Sequence, residues 1–140
     1  MIKPKILITN DDGISSKGIY ALWEAMNDIG ETFIAAPSSE QSASSHSLTL
    51  SSPLRVKILK RKNGFKGWSI SGTPVDCVKI AIRSLMKKSP DLLISGVNHG
   101  ANLGNNIMYS GTVSAATEGM IMGIPSIAIS LASYETDNYD

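Results

Sequence analysis

The chain has 140 residues, 42% hydrophobic and 18% charged, with 13 basic against 12 acidic side chains and a net charge of +1. These values suit one soluble domain over residues 1–140 and argue against a dedicated nucleic-acid binder, which carries a basic surplus. The single cysteine, Cys77, allows no internal disulfide. The N-terminus lacks a secretory pattern and no stretch is apolar over a membrane-spanning length, so a cytoplasmic setting is expected, with no membrane partner.

Lys5 to Thr9 is short, β-branched and almost continuously apolar, which predicts a parallel strand covered on both faces. Ile19, Leu22, Trp23, Met26 and Ile29 then recur at helical spacing, and Gly30 is a natural stop. Thr32 to Ala36 predicts a second strand, closed by Pro37, and completes a βαβ unit. Ser38 to Ser47 is serine-rich and polar and reads as a loop, with Leu48 to Leu50 a short extended piece beyond it. Leu54 to Ile58 alternates as a half-exposed strand. Lys60 to Gly67 reads as a solvated basic turn, and Trp68 to Ile70 as its hairpin partner.

Thr73, Pro74 and Asp76 open a helix with an N-cap, a proline at the first helical position and a capping box. Val75, Val78, Ile82 and Leu85 form its buried face, and Cys77 is expected to be a small core residue rather than a nucleophile. Asp91 to Ser95 predicts another buried strand, running into a glycine- and asparagine-rich loop from Gly96 to Asn106. Ser110 to Met122 predicts a helix, Ser126 to Ser130 a last strand, and the polar tail a frayed end. The fold class is α/β: a Rossmann-like, mostly parallel sheet with flanking helices and a β-hairpin excursion. In such sheets ligands bind beyond the carboxyl ends of the strands, where the loops at 10–13, 38–47 and 96–106 can meet.

The chemistry-bearing residues lie in those loops. Asn10-Asp11-Asp12-Gly13 could be a simple turn or cap. Two adjacent carboxylates repel, however, and a divalent cation would compensate both. Oxygen donors of this kind suit Mg²⁺, Mn²⁺ or Ca²⁺. His46 and His99 lack zinc-ligand spacing and read as ordinary loop residues. Asn98 could reach the same rim, or be a turn asparagine. The six serines between 38 and 47 cannot be ranked by composition. Ser110, Gly111 and Thr112 open a helix whose N–H groups could hold an anion, though an ordinary N-cap explains them equally. Neither a Walker A loop nor a GxGxxG motif is present.

The segments ILITNDDG, APSSEQSASSHSLTL, SGTPVDC, PDLLISGVNHGANLG and YSGTVSAATEG occur in this order between Lys5 and Leu131. Together they make the chain resemble the SurE (survival protein E) family of metal-dependent 5′-nucleotidases. The resemblance implies hydrolysis of nucleoside 5′-monophosphates to nucleoside and phosphate, with 3′-nucleotides and short polyphosphate as further substrates. It implies one divalent cation, Mg²⁺ or Mn²⁺, on Asp11, Asp12, Ser42 and Asn98. Phosphate would be held by Asn98, Ser110, Gly111 and Thr112, and Asp11 and Asp12 would be catalytic. Family members are usually longer, with a C-terminal segment that supports a homodimer or homotetramer and that this chain is expected to lack.

The expected mechanism is attack by water oriented by an Asp oxygen, with a covalent aspartyl-phosphate as the alternative. A nucleotide-binding module without turnover is the rival from another class. A sugar-nucleotide transferase would also suit the acidic pair, but the other motifs do not support it.

Overall fold

The first strand, β1 (Lys5–Thr9), is continuously apolar from Ile6 to Ile8 because both of its faces are covered: Ile6 and Ile8 enter one core and Leu7 the other. The computed structural model describes residues 1–41, 46–133, 135 and 138–139. After β1 come α1 (Lys17–Met26), β2 (Glu31–Pro37), β3 (Val56–Lys60), β4 (Lys66–Ile70), α2 (Pro74–Ile80), β5 (Leu92–His99), α3 (Gly111–Ile121) and β6 (Ser126–Leu131). The sheet order is β3-β4-β2-β1-β5-β6, all parallel except for β3 against β4. The expected α/β sheet with a hairpin excursion is what forms.

Each face of the sheet has its own core. Ile19, Leu22 and Trp23 of α1 pack on Ile6, Ile8, Ile34 and Ile94. On the opposite face, Cys77 and Val78 of α2 and Ala115 and Ala116 of α3 pack on Leu7, Ala35, Ile70 and Leu93. Each large aliphatic side chain fully buried in this way is worth about 1.5–3 kcal/mol.

The hydrogen bonding at α2 has the expected form. Thr73 Oγ1 accepts from Asp76 N–H, and the Asp76 carboxylate accepts from Thr73 N–H. The helix then widens into a π turn over Ala81–Leu85, where Met86 N–H bonds Ala81 O at 2.8 Å.

Several expectations are corrected. Ile29 lies past the end of α1 and is exposed, although its spacing continues the helical stripe. β3 begins at Val56 rather than Leu54, and Val56 and Ile58 face solvent. As an edge strand it has a partner on one side only, and its lysines discourage pairing with other chains. Leu48 to Leu50 forms no strand. The basic turn is not merely solvated: Phe65 is fully buried against Tyr20 and Trp23 of α1, with Arg61 over its ring. β5 continues through Gly96, Val97, Asn98 and His99, with a register shift against β6 between Ser95 and Asn98. A 3₁₀ turn occupies Gly104–Tyr109.

No helix among the described residues is long and apolar enough to cross a membrane.

Candidate functional site

From β1 the chain moves outward to β2 and the edge strand β3, comes back as β4 beside β2, then crosses to the other side of β1 as β5. The switch point therefore lies between the carboxyl ends of β1 and β5, where open α/β sheets bind ligands. Asp11 and Asp12 follow the first of these ends, and Asn98 and His99 occupy the second.

The acidic loop is held by Asn10, which is completely buried. Its Nδ2 donates to Gly13 O and Ser16 Oγ, each at 2.8 Å, and its Oδ1 accepts from Gly13 N at 3.2 Å. Gly13 has φ +103°, a backbone region closed to most side chains, and this lets the chain reverse within one residue. Ile14 N then bonds Pro37 O at 2.8 Å, tying the loop to the end of β2.

Asp11 is buried and its Oδ1 accepts from Thr112 Oγ1 at 3.0 Å. Asp12 is half-buried and its Oδ2 accepts from the backbone N–H of His99 at 3.1 Å. The acidic pair thus joins β1 to the first turn of α3 on one side and to β5 on the other. Burial, reinforced by the charge of Asp12, pushes Asp11 from an ordinary 3.8 up to about 6, against the lowering effect of the Thr112 hydroxyl. Asp12 is also raised, chiefly by burial, while the His99 N–H pulls it down.

Asn98 is half-buried, and its Nδ2 donates to Gly100 O at 2.9 Å, so its Oδ1 is the atom available to a cation. Ser110 caps α3, its Oγ accepting from Val113 N at 3.2 Å. The N–H groups of Gly111 and Thr112 stand in the first turn, where a helix has no acceptors of its own. Ser42 lies outside the described residues. Its neighbour Gln41 donates its backbone N–H to Asp11 O at 2.7 Å.

The oxygen donors that the described residues bring here are two carboxylates and an amide oxygen. Among the described residues no three His, Cys, Asp or Glu side chains gather where they could hold a metal ion, so the candidate set rests on two carboxylates and neutral oxygen donors. Oxygen-rich sets of this kind fit a hard divalent cation. A phosphate at the start of α3 would also stand beside two carboxylates, a repulsion that a cation between them removes.

The model of the family described as Survival protein SurE matches residues 6–140. The chain belongs to the SurE family. It is 56% identical over 127 residues to 5′-nucleotidase SurE of Solidesulfovibrio magneticus, covering 90% of this chain and 49% of that protein. It is 50% identical over 137 residues to 5′-nucleotidase SurE of Chlorobium phaeobacteroides, covering 98% and 53%. The crystal structure of SurE protein from Aquifex aeolicus superposes with a TM-score of 0.82 at 47% identity, covering 95% of this chain and 53% of that one. The chain spans about half the length of these relatives.

Some contacts of this SurE chain have no local sequence signature. Beyond Ser42, the loop ends on α2 and α3: Thr73 Oγ1 donates to Ser47 O at 2.6 Å, and Asp76 accepts from Thr49 N and Oγ1. His46 Nε2 meets Glu118 Oε2 at 2.7 Å, with Lys79 Nζ 3.6 Å from Glu118 Oε1. Glu118 is almost fully buried in α3, and in a helix of small residues such a carboxylate calls for a cationic or donating partner. The expectation that His46 is an ordinary loop residue missed this contact. Cys77 is fully buried and its thiol is pushed well above its ordinary range by burial. This is the environment of a core residue.

Proposed function

We propose that this chain supplies a metal-dependent phosphomonoesterase site that hydrolyses nucleoside 5′-monophosphates to nucleoside and phosphate. The observation that carries this reading is the meeting of Asp11, Asp12 and the first turn of α3 at the switch point, with Thr112 donating directly to Asp11. The naming of half-identical relatives as 5′-nucleotidases supports the substrate class. On this reading Asp11, Asp12, Ser42 and Asn98 hold one Mg²⁺ or Mn²⁺, and Asn98, Ser110, Gly111 and Thr112 orient the phosphate. When bound, the cation neutralises phosphoryl charge and makes water a better nucleophile.

The protein's own groups do the rest. First-turn N–H groups of α3 face the phosphoryl oxygens and stabilise charge that grows as the P–O bond breaks. Asp11 Oδ2 and Asp12 Oδ1 carry no hydrogen bond among the described residues, so either can orient the attacking water and take its proton. The proton taken from the attacking water is passed on by that carboxylate to the departing nucleoside oxygen, which leaves as a hydroxyl. Attack by an Asp oxygen is the second route, and trapping of an aspartyl-phosphate would distinguish it. Activity on 3′-nucleotides and short polyphosphate and assembly into a homodimer or homotetramer complete the proposal.

The test is phosphate release from a panel of 5′-nucleotides with Mg²⁺, with Mn²⁺ and with chelator. Release should require the cation and should fall at least about 100-fold in Asp12→Asn. Undiminished release in chelator would refute the metal reading. Cation-dependent nucleotide binding without release would leave a binding module in its place.

A further inference from the structure

β1 and β5 pair directly as far as Thr9 and Ser95; beyond that ladder the His99 N–H bonds Asp12, and a second connection runs behind it. Ser16 caps α1, its Oγ accepting from Ile19 N at 3.3 Å, and the same oxygen accepts from Asn10 Nδ2. The start of α1 is thereby bonded to the residue that precedes Asp11. Two residues further on, Gly18 lies in the first turn of α1 and is buried. A Cβ built on Gly18 would collide with the backbone carbonyl oxygen of Val97, and would stand 3.2 Å from the carbonyl carbon. Val97 immediately precedes Asn98 in β5.

The obstructing atoms belong to the backbone of a strand, so no side-chain rotation relieves the clash. We propose that the first turn of α1 is the gauge that sets the separation of the two halves of the site, with Ser16 and Gly18 as positioning residues. The circuit is closed: Asp12, Asn10, Ser16, Gly18, Val97, His99 and back to Asp12. At Gly18 the helix lies on β5 at a distance only glycine permits. An added methyl group pushes Val97 away from α1 and takes Asn98 and the His99 N–H with it. The 3.1 Å bond to Asp12 has little length to spare before it is lost. Coordinating groups are sensitive to such shifts, and loss of an outer partner typically costs about 10–100-fold in metal affinity.

This inference rests on the metal reading of the acidic pair, and its test separates the two. Mn²⁺ affinity would be measured by calorimetry on the metal-free full chain and its variants, beside their melting temperatures. Gly18→Ala should bind Mn²⁺ about 10–100-fold more weakly. The backbone clash should lower the melting temperature in either case, so a purely local role predicts a lower melting temperature with unchanged affinity.

If Gly18→Ala does not fold, Ser16→Gly takes its place, because glycine is a tolerable N-cap but offers no oxygen to Asn10. It should lose affinity likewise, and Ser16→Thr should restore it. Unchanged Mn²⁺ affinity in a folded Gly18→Ala or Ser16→Gly protein would overturn the gauge alone. So would a loss of affinity that Ser16→Thr fails to repair. Absence of Mn²⁺ binding by the unsubstituted chain would overturn the metal reading, and the gauge with it.

Discussion

Asp11 is held at a cost in the absence of metal, and that cost should be measurable. An Asp raised from 3.8 to about 6 binds its proton more tightly in the folded than in the unfolded chain. Between those two values the folded state holds more protons. Metal-free stability therefore falls as pH rises through this window, and the full penalty is present above it. A rise of that size corresponds to about 3 kcal/mol at neutral pH, as an upper limit. Asp11→Asn removes the charge but keeps an oxygen that can accept from Thr112. The variant should melt higher than the parent in chelator at pH 7.5, by on the order of 10 °C for the full penalty.

The gap should shrink as pH is lowered toward 4, where the parent Asp11 is itself neutral. Because the charge of Asp12 is the second-largest cause, Asp12→Asn should bring the pKa of Asp11 only part of the way back toward 3.8. Added Mg²⁺ at a thousandfold excess over Kd should reverse the order, since it stabilises only the chain that binds it, by about 4.1 kcal/mol against a penalty of about 3 kcal/mol. Thermal melts across pH 4–8, with and without Mg²⁺, give all of these values. A metal-free Asp11→Asn protein less stable than the parent at pH 7.5, or a gap independent of pH, would refute the reasoning.

Thr112→Val should leave Asp11 Oδ1 buried without its donor. This should cost about 1–3 kcal/mol in chelator at neutral pH, read from denaturant titration, and push Asp11 further up. The pH midpoint of Mn²⁺ binding, set by proton competition at Asp11, should rise with it. Cys77 should resist thiol reagents in the native chain at pH 8 and react at once in denaturant, because burial both shields the thiol and disfavours the thiolate. Rapid native labelling would contradict its placement in the core.

The readable parts of the sequence were those whose cause is local. The run Lys5 to Thr9 announced a doubly covered strand because burial on both faces leaves no polar alternation. Thr73, Pro74 and Asp76 announced a helix start because capping is a matter of a few consecutive residues. Asp11 and Asp12 announced a charge problem by adjacency alone. What the sequence hid depends on distant partners. Gly96 to His99 read as loop because glycine and asparagine disfavour strands, yet pairing with β6 resumes at Asn98. Thr112 read as a phosphate ligand, while its hydroxyl donates to a carboxylate 101 residues away. Asp76 served its capping box as expected, but its second task, holding Thr49, has no local sign. The same is true of His46 and Glu118. Ser42 was singled out by resemblance and falls outside the described residues.

The central claim, that Asp11 and Asp12 hold a divalent cation beside the start of α3, is tested most directly by anomalous diffraction from crystals grown with Mn²⁺ and phosphate. The account predicts one strong peak at coordination distance, about 2.0–2.6 Å, from carboxylate oxygens of both residues, with phosphate between it and the N–H groups of Gly111 and Thr112. Ordered phosphate at α3 with no Mn²⁺ on the acidic pair, or Mn²⁺ bound only elsewhere, would contradict it.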